Sequence, residues 1–111
     1  MAVTVTVIIP AKTAENTQTT QYTSTGLTTI IDKFTATNYS ATAATISVNL
    51  VNPSGTPGNS DLIVKTKTLQ AGETYTFPEL VGHALASGGF ISTIAGTASA
   101  INIRATGRTV T

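Results

Sequence analysis

The stretch TTIIDKFTATNYSATAATISVNLV, residues 28–51, decides the fold class of this chain. Apolar and polar residues alternate through residues 45–50, and residues 28–37, on the other side of a turn candidate at Asn38-Tyr39-Ser40, are rich in threonine and isoleucine. Alternation with a period of two, in segments rich in threonine, valine and isoleucine, is typical of half-buried β-strands. The stretch therefore predicts two strands that form a hairpin.

The same pattern continues on both sides of this stretch. Further strands are predicted at residues 1–9, 19–24, 62–69, 74–77, 90–94 and 99–105. Pro10 removes a ladder donor and is expected to end the first of them. Turn signals recur at the spacing of roughly 8–12 residues that sandwiches show. The elements predict an all-β, antiparallel β-sandwich or jelly-roll-like fold of about six to eight short strands, in one domain spanning residues 1–111.

Two segments depart from the strand pattern. Residues 52–60, NPSGTPGNS, hold two prolines and two glycines and are predicted to form a surface loop. Residues 78–86 are the helix candidate, because Pro78 suits the first helical position and Glu79 suits the first turn. Gly82 limits this segment to a short helical turn.

The apolar positions of the strands predict the core. Within residues 1–9, alternation places Val3, Val5, Val7 and Ile9 on one face of the strand. The expected core is Val5, Val7, Ile30, Phe34, Ile46, Val48, Leu50, Leu62, Val64, Tyr75, Phe77, Leu80, Leu85, Phe90, Ile94, Ile101 and Ile103.

Composition excludes several function classes. The 111 residues include 24 threonines and no cysteine, which rules out disulfides, thiolate metal sites and a cysteine nucleophile. Six basic and five acidic residues give a net charge of +1, so no electrostatic attraction to nucleic acid or to a membrane surface is expected. No apolar run reaches the roughly 20 residues of a membrane span, and the chain begins without the basic region of a signal peptide.

Titratable residues offer little catalytic chemistry. His83 is the only histidine, and we expect a partly buried side chain bonded to a backbone carbonyl rather than a general base. No GxSxG elbow or P-loop is present, and Asp61 is expected to open a turn rather than bind calcium. The acids are scattered singly, at Glu15, Asp32, Asp61, Glu73 and Glu79. We therefore expect no enzyme, no catalytic or metal-binding residue and no cofactor.

Asp32 breaks the alternation of its strand. Strict alternation places its carboxylate on the face of Ile30 and Phe34, where an unpaired charge would be costly. Either a β-bulge at Ile31-Asp32 turns the side chain away, or the carboxylate accepts hydrogen bonds from the backbone or from a basic partner. Both possibilities predict a structural role.

Two pairs of basic residues also lie on predicted strands. Lys65 and Lys67 are expected to protect a sheet edge against pairing, with contact to an acidic partner as the alternative. Arg104 and Arg108 are four residues apart and are expected on one face of the last strand and its extension.

Several strand and turn motifs resemble those of a known family. They are Ile31-Asp32-Lys33-Phe34, Thr37-Asn38, Ala71-Gly72-Glu73-Thr74, Leu80-Val81-Gly82-His83 and Arg104-Ala105-Thr106-Gly107. Through them, residues 30–51 and 62–111 resemble small structural proteins of tailed bacteriophages. The resemblance implies a virion component assembled in the cytoplasm of a bacterial host. It would be a capsid decoration or cement protein that binds the major capsid protein or other virion proteins, or else a tail or head-fibre component.

Self-association is a further expectation. Three phenylalanines and three tyrosines make a light core, and association often stabilises small folds of this kind. A homo-oligomer is expected, and the resemblance to decoration proteins makes a trimer its expected form. The interface is predicted at Val3, Thr4, Thr6 and Ile8, with Arg104 or Arg108 at its rim. The alternative is that the first strand pairs only within its own sheet.

A host-attachment or carbohydrate-binding module is the alternative function. Loops at the ends of a sandwich often carry such sites, and sugars stack on exposed aromatic rings. Tyr39, in the turn candidate, is the best placed of the three tyrosines.

Overall fold

The computed structural model describes residues 2–111, and within them it is built of strands, turns and one 3₁₀ turn. The strands are β1 (Val3–Thr13), β2 (Thr19–Thr23), β3 (Thr28–Asn38), β4 (Ala44–Val51), β5 (Leu62–Leu69), β6 (Thr74–Thr76), β7 (Ala84–Leu85), β8 (Phe90–Ala95) and β9 (Ile101–Val110), with the 3₁₀ turn at Asn59–Asp61. The predicted first strand began at Met1, which lies outside the described residues.

The strands form two antiparallel sheets. Sheet A has the order β1-β9-β3-β6, with β7 also paired to β3, and sheet B has the order β2-β8-β4-β5. The pairs β1–β9, β2–β8, β3–β6 and β4–β5 are those of a long antiparallel ribbon folded back on itself. When such a ribbon rolls up, β9 meets β3 and β8 meets β4, as observed. This is the strand order of a jelly roll, and it confirms the predicted all-β sandwich.

The core lies between the two sheets. Phe34 and Phe77 are fully buried in an edge-to-face arrangement with ring centroids 5.1 Å apart, and Tyr75 packs on Phe77 at 4.8 Å. The predicted core residues found buried are Phe34, Ile46, Val48, Val64, Phe77, Leu80, Leu85, Ile101 and Ile103. Those found half-buried are Ile30, Leu50, Leu62, Tyr75, Phe90 and Ile94.

The prediction for β1 was wrong in two respects. Val5 and Val7 are exposed rather than buried, and the strand continues past Pro10 to Thr13. The register of β1 against β9 shifts between Val7 and Ile9 and again before Lys12. Each shift changes the face on which the following residue lies, so Val7 points outward while Ile9 points into the core. Pro10 is tolerated because β1 is an edge strand.

The predicted hairpin of residues 28–51 is also wrong. β3 belongs to sheet A and β4 to sheet B, so the chain crosses between the sheets at residues 39–43. The buried Asn38 side chain holds this crossing: its Nδ2 donates to the carbonyl oxygens of Thr42 (2.8 Å) and Leu69 (2.9 Å), and its Oδ1 accepts from the backbone N of Ser40 (2.9 Å). The turn was predicted correctly, but not the sheet to which it leads.

Residues 78–86 form turns and the short strand β7 instead of the predicted helical turn. Gly82 has a positive φ of 87°, and its backbone N donates to the carbonyl oxygen of Ile31 at 2.7 Å. The backbone N atoms of Leu80, Val81 and His83 each donate to the carbonyl oxygen three residues earlier, so the segment forms successive turns, and the backbone of Gly82 and His83 joins these turns to Ile31 of β3. The predicted loop at residues 52–60 is confirmed as exposed, apart from half-buried Pro57, and its last two residues begin the 3₁₀ turn.

Candidate functional site on the outer face of sheet A

An exposed apolar row, here called the valine stripe, consists of Val3, Val5 and Val7 on β1. Their exposed fractions are 56%, 78% and 43%. They lie beside Val110, Arg108 and Thr106 of β9, to which they are paired in register. Exposed apolar residues grouped together on a soluble protein mark interaction surfaces more often than isolated ones do. The stripe is therefore the main candidate for a contact surface.

The predicted interface residues lie on different sides of β1. Val3 and Thr4 are exposed and Thr6 is half-buried, whereas Ile8 is buried in the core at 4% exposure. Ile8 directly follows the regular part of the strand and falls at the first register shift. Its side chain is consequently not part of the monomer surface. β1 also pairs within its own sheet, but it uses only one of its two edges there.

Asp32 and Arg108 form an ion pair on the same outer face. The Arg108 Nε lies 3.0 Å from both carboxylate oxygens of Asp32, and its Nη2 lies 2.9 Å from Oδ1. Asp32 is the extra residue where the register of β3 on β9 shifts between Ile31 and Lys33. Both mechanisms considered from the sequence therefore operate together, and the carboxylate raises the pKa of Arg108 through a hydrogen bond and through charge attraction.

A shallow groove of about 230 Å³ lies next to this ion pair. It is lined by Lys33, Thr35, Arg104 and Thr106 of the adjacent strands β3 and β9. Arg104 and Arg108 point to the same face, as predicted, because they are four residues apart on one strand and side chains alternate with a period of two. Within residues 2–111 the ion pairs are Lys12–Glu15 and Arg108–Asp32, so Lys33 and Arg104 carry uncompensated positive charge beside the valine stripe.

His83 is not placed as expected. Its side chain is exposed, and it is the backbone carbonyl of His83 that accepts a hydrogen bond, from the N of Ile31 at 2.9 Å. The side chain lines a cleft of about 180 Å³ between residues of the loops and of β4, β5 and β7. None of the residues described as lining that cleft supplies a second titratable side chain.

The carboxylates take part in local structural bonds. Glu15 accepts from Gln21 Nε2 and from Lys12 Nζ, both at 2.9 Å, and these two bonds lower the pKa of Glu15. Glu79 accepts from the Tyr75 hydroxyl at 2.8 Å, which raises the pKa of Tyr75. Glu73 accepts from the backbone N of its neighbour Gln70 at 2.7 Å. These side chains hold turns and strand ends.

The structure also contains a cluster that the sequence did not reveal. On the outer face of sheet B, Gln18 Nε2 donates to Ser92 Oγ (2.7 Å) and Asn49 Oδ1 (3.2 Å). Asn49 Nδ2 in turn donates to the Gly58 carbonyl (3.0 Å) and to the Asp61 carboxylate. Asn49 and Ser92 are both buried. This amide cluster fastens the loop of residues 52–60 onto the sheet.

Tyr39 is the exposed aromatic residue of the crossing between β3 and β4. Its exposed fraction is 53%, and its hydroxyl lies 3.3 Å from Thr13 Oγ1. The hydrogen bond holds the ring at one end of the sandwich. This is the position that the alternative, sugar-binding function requires.

A metal site and a membrane-spanning helix are the two remaining kinds of feature to consider in residues 2–111. No group of three or more histidine and acidic side chains is placed to hold a metal ion in this part of the chain. Among the same residues, no helix has the length and apolar character needed to span a membrane.

The chain matches no family model, no curated protein and no solved structure. The resemblance to phage structural proteins therefore rests on the strand and turn motifs quoted above.

Proposed function

We propose that this chain is a non-enzymatic structural protein of a bacteriophage virion, and that it decorates or cements the capsid through protein–protein contacts. The observation that carries the proposal is the outer face of sheet A, where the valine stripe adjoins two uncompensated cations. The motif resemblance supplies the virion context. Jelly rolls are also a recurrent architecture of capsid proteins.

The outer face of sheet A combines exposed apolar side chains with two positively charged ones. The valine stripe would lie against apolar residues of the shell, and Lys33 and Arg104 would face acidic side chains of the major capsid protein. Such a face belongs to a rigid sheet, so little conformational entropy is lost on docking. Many identical copies on one shell would then multiply a modest affinity per site.

The first experiment locates the chain on the particle. Purified particles of the phage that encodes the chain should contain it in stoichiometric amounts, and an electron-microscopy map should place it on the outer surface of the head. Its absence from purified particles would overturn the proposal. Density in the tail or in head fibres would keep the virion role and discard the decoration role.

A second experiment tests the docking face. Particles lacking the chain should bind the purified protein, and Lys33→Glu with Arg104→Glu should weaken that binding. Lys65→Glu, at an exposed cation on sheet B, is the control and should bind as the unaltered chain does. Equal loss with the control would indicate a general charge effect and would reject this face as the site.

Host attachment through carbohydrate binding is the second candidate. It is favoured by the exposure of Tyr39 at a loop end of the sandwich. A glycan array should then give binding that Tyr39→Ala abolishes. An array without signal, or unchanged binding by the variant, would remove this candidate.

A further inference from the structure

The N-terminal half of β1 is an open sheet edge without protection. Outer strands are ordinarily guarded by charge, proline, bulges or short length, because an open edge recruits other strands. β6 and β7 are three and two residues long, and β5 carries Lys65, Lys67 and a bulged Thr66 with φ of 44°. Residues 3–7 of β1 contain no charge, no proline and no register shift.

The backbone of this segment is oriented for pairing. Ala2 and Thr111 exchange both of their backbone hydrogen bonds, so Ala2 faces β9. In an antiparallel ladder such pairs alternate, and the register is regular from Val3 to Val7. The backbone N–H and C=O groups of Thr4 and Thr6 therefore also point to β9. Those of the valine stripe point to the open edge.

The sequence of the segment is the same in both directions. Residues 3–7 read Val-Thr-Val-Thr-Val, so an antiparallel partner of identical sequence, centred on Val5, places valine opposite valine and threonine opposite threonine. Neighbouring β-branched side chains on one face stabilise strand pairs, and no like charges meet across the axis. A second copy of the chain therefore matches this edge at every position.

We infer that two copies of this chain form a two-fold dimer by antiparallel pairing of residues 3–7, which joins their A sheets into one continuous sheet. Val5 pairs with Val5 of the second copy, and Val3 pairs with Val7 of the second copy. The two-fold pairing of β1 with β1 of the second copy occupies the open β1 edge of both monomers. The dimer is thus closed, whereas a trimer, the form expected from the resemblance, would leave strand pairing unsatisfied. The inference goes beyond the proposed function, because dimerisation requires no virion.

Sedimentation equilibrium of the full chain tests the inference. The expected mass is twice the 11.4 kDa of the monomer. Val5→Lys should abolish the dimer, because two lysines would meet on the axis. Val81→Lys changes an exposed valine of the 78–83 turn in the same way, and it should leave the dimer intact. A monomeric or trimeric unaltered chain, or a dimer that survives Val5→Lys, would overturn the inference.

Cross-linking tests the register without reliance on the charged variant. The chain has no cysteine, so Val5→Cys introduces one thiol per copy. Cα atoms of a hydrogen-bonded antiparallel pair are about 5.5 Å apart, within the range of a disulfide. Mild oxidation should link Val5→Cys into a dimer, and a mixture of Val3→Cys with Val7→Cys should give a linked heterodimer. Cross-linking no greater than that of Val81→Cys would overturn the inference even if the protein proved dimeric.

Discussion

The guanidinium of Arg108 on β9 donates hydrogen bonds to the carboxylate of Asp32 on the neighbouring strand β3. Asp32 lies at the position where β3 carries one residue more than its partner. The bulge and the ion pair depend on each other. Without the bulge, Asp32 would lie on the face of Phe34, which is fully buried. With the bulge, the carboxylate reaches the outer face, where Arg108 lies within hydrogen-bonding distance.

The coupling between these two residues can be measured in a double-mutant cycle. Asp32→Asn and Arg108→Gln should each lower the free energy of unfolding by a small amount, and the double variant should lose little more than either single variant. The effect should shrink as salt is added, since both side chains are about two-fifths exposed. Arg104→Gln, on the same face but without an acidic partner among the described residues, is the control and should change little. Additive losses would show that the two residues do not interact.

Substitution of Gly107 should destabilise the protein far more than substitution of Asp32 or Arg108. A Cβ there would collide with the backbone carbonyl oxygen of Ile30, beside the bulge. Because the obstacle is backbone in the middle of sheet A, Gly107→Ala should cost about 3 kcal/mol of unfolding free energy or more. Gly58→Ala is the matched control, since the nearest atom to its Cβ would be 3.9 Å away. Equal urea midpoints for the two variants would contradict the close approach of β9 and β3.

Truncation of two apolar residues, Phe34 and Val5, should change the free energy of unfolding by very different amounts. Phe34→Ala should destabilise the protein by about 3–5 kcal/mol, because it empties the centre of the core. Val5→Ala should stay within about 0.5 kcal/mol under conditions where the chain is monomeric, because Val5 is exposed. Urea unfolding of dilute protein measures both. A large loss for Val5→Ala would restore the inward face that simple alternation assigned to this residue.

Asn49 should control the mobility of the neighbouring loop. Asn49→Ala leaves the Asp61 carboxylate and the Gly58 carbonyl without its amide, and it should cost about 1–3 kcal/mol. Hydrogen exchange should accelerate within residues 52–61 and remain unchanged in β9. Asn59→Ala, in the same loop but exposed, is the control. Unchanged exchange in Asn49→Ala would mean that the loop is held by other contacts.

Acid should weaken the connection between β1 and β2. The hydrogen bonds from Gln21 and Lys12 lower the pKa of Glu15 below its usual value of 4.5. A lowered pKa contributes stability that is present above the unfolded-state value and is lost as the pH falls through the folded-state value. The unaltered chain should therefore lose more stability between neutral pH and pH values below 4.5 than Glu15→Gln does. Parallel pH profiles for the two proteins would contradict this role.

Most strands could be predicted from the sequence because alternation is a local property. Residues 3–7 and 45–50 alternate whichever strand they later meet, and the Pro- and Gly-rich loop at 52–60 cannot sustain a central strand. The same locality explains the failed hairpin. A strand that pairs with its chain neighbour and one that crosses to the other sheet have the same pattern of side chains.

For the candidate site, the residues were visible in the sequence but their arrangement was not. The Val-Thr alternation of residues 3–7 marked a strand and an interface, yet it also placed Val5 and Val7 in the core. Only the register of β1 on β9, with its shift after Val7, decided that these valines face outward. A one-residue shift reverses every following side chain, and no local pattern records it.

The all-β sandwich could be derived from the sequence alone, because threonine-rich alternation and regularly spaced turns suit a strand in any sheet. The tertiary structure alone decided which strands are neighbours, and therefore which residues meet. Asp32 and Arg108 are 76 positions apart in the chain and form their ion pair only because β9 is inserted between β1 and β3. The same insertion leaves the far edge of β1 open. Long-range pairing depends on the packing of all the strands together, so it cannot be derived from any one of them.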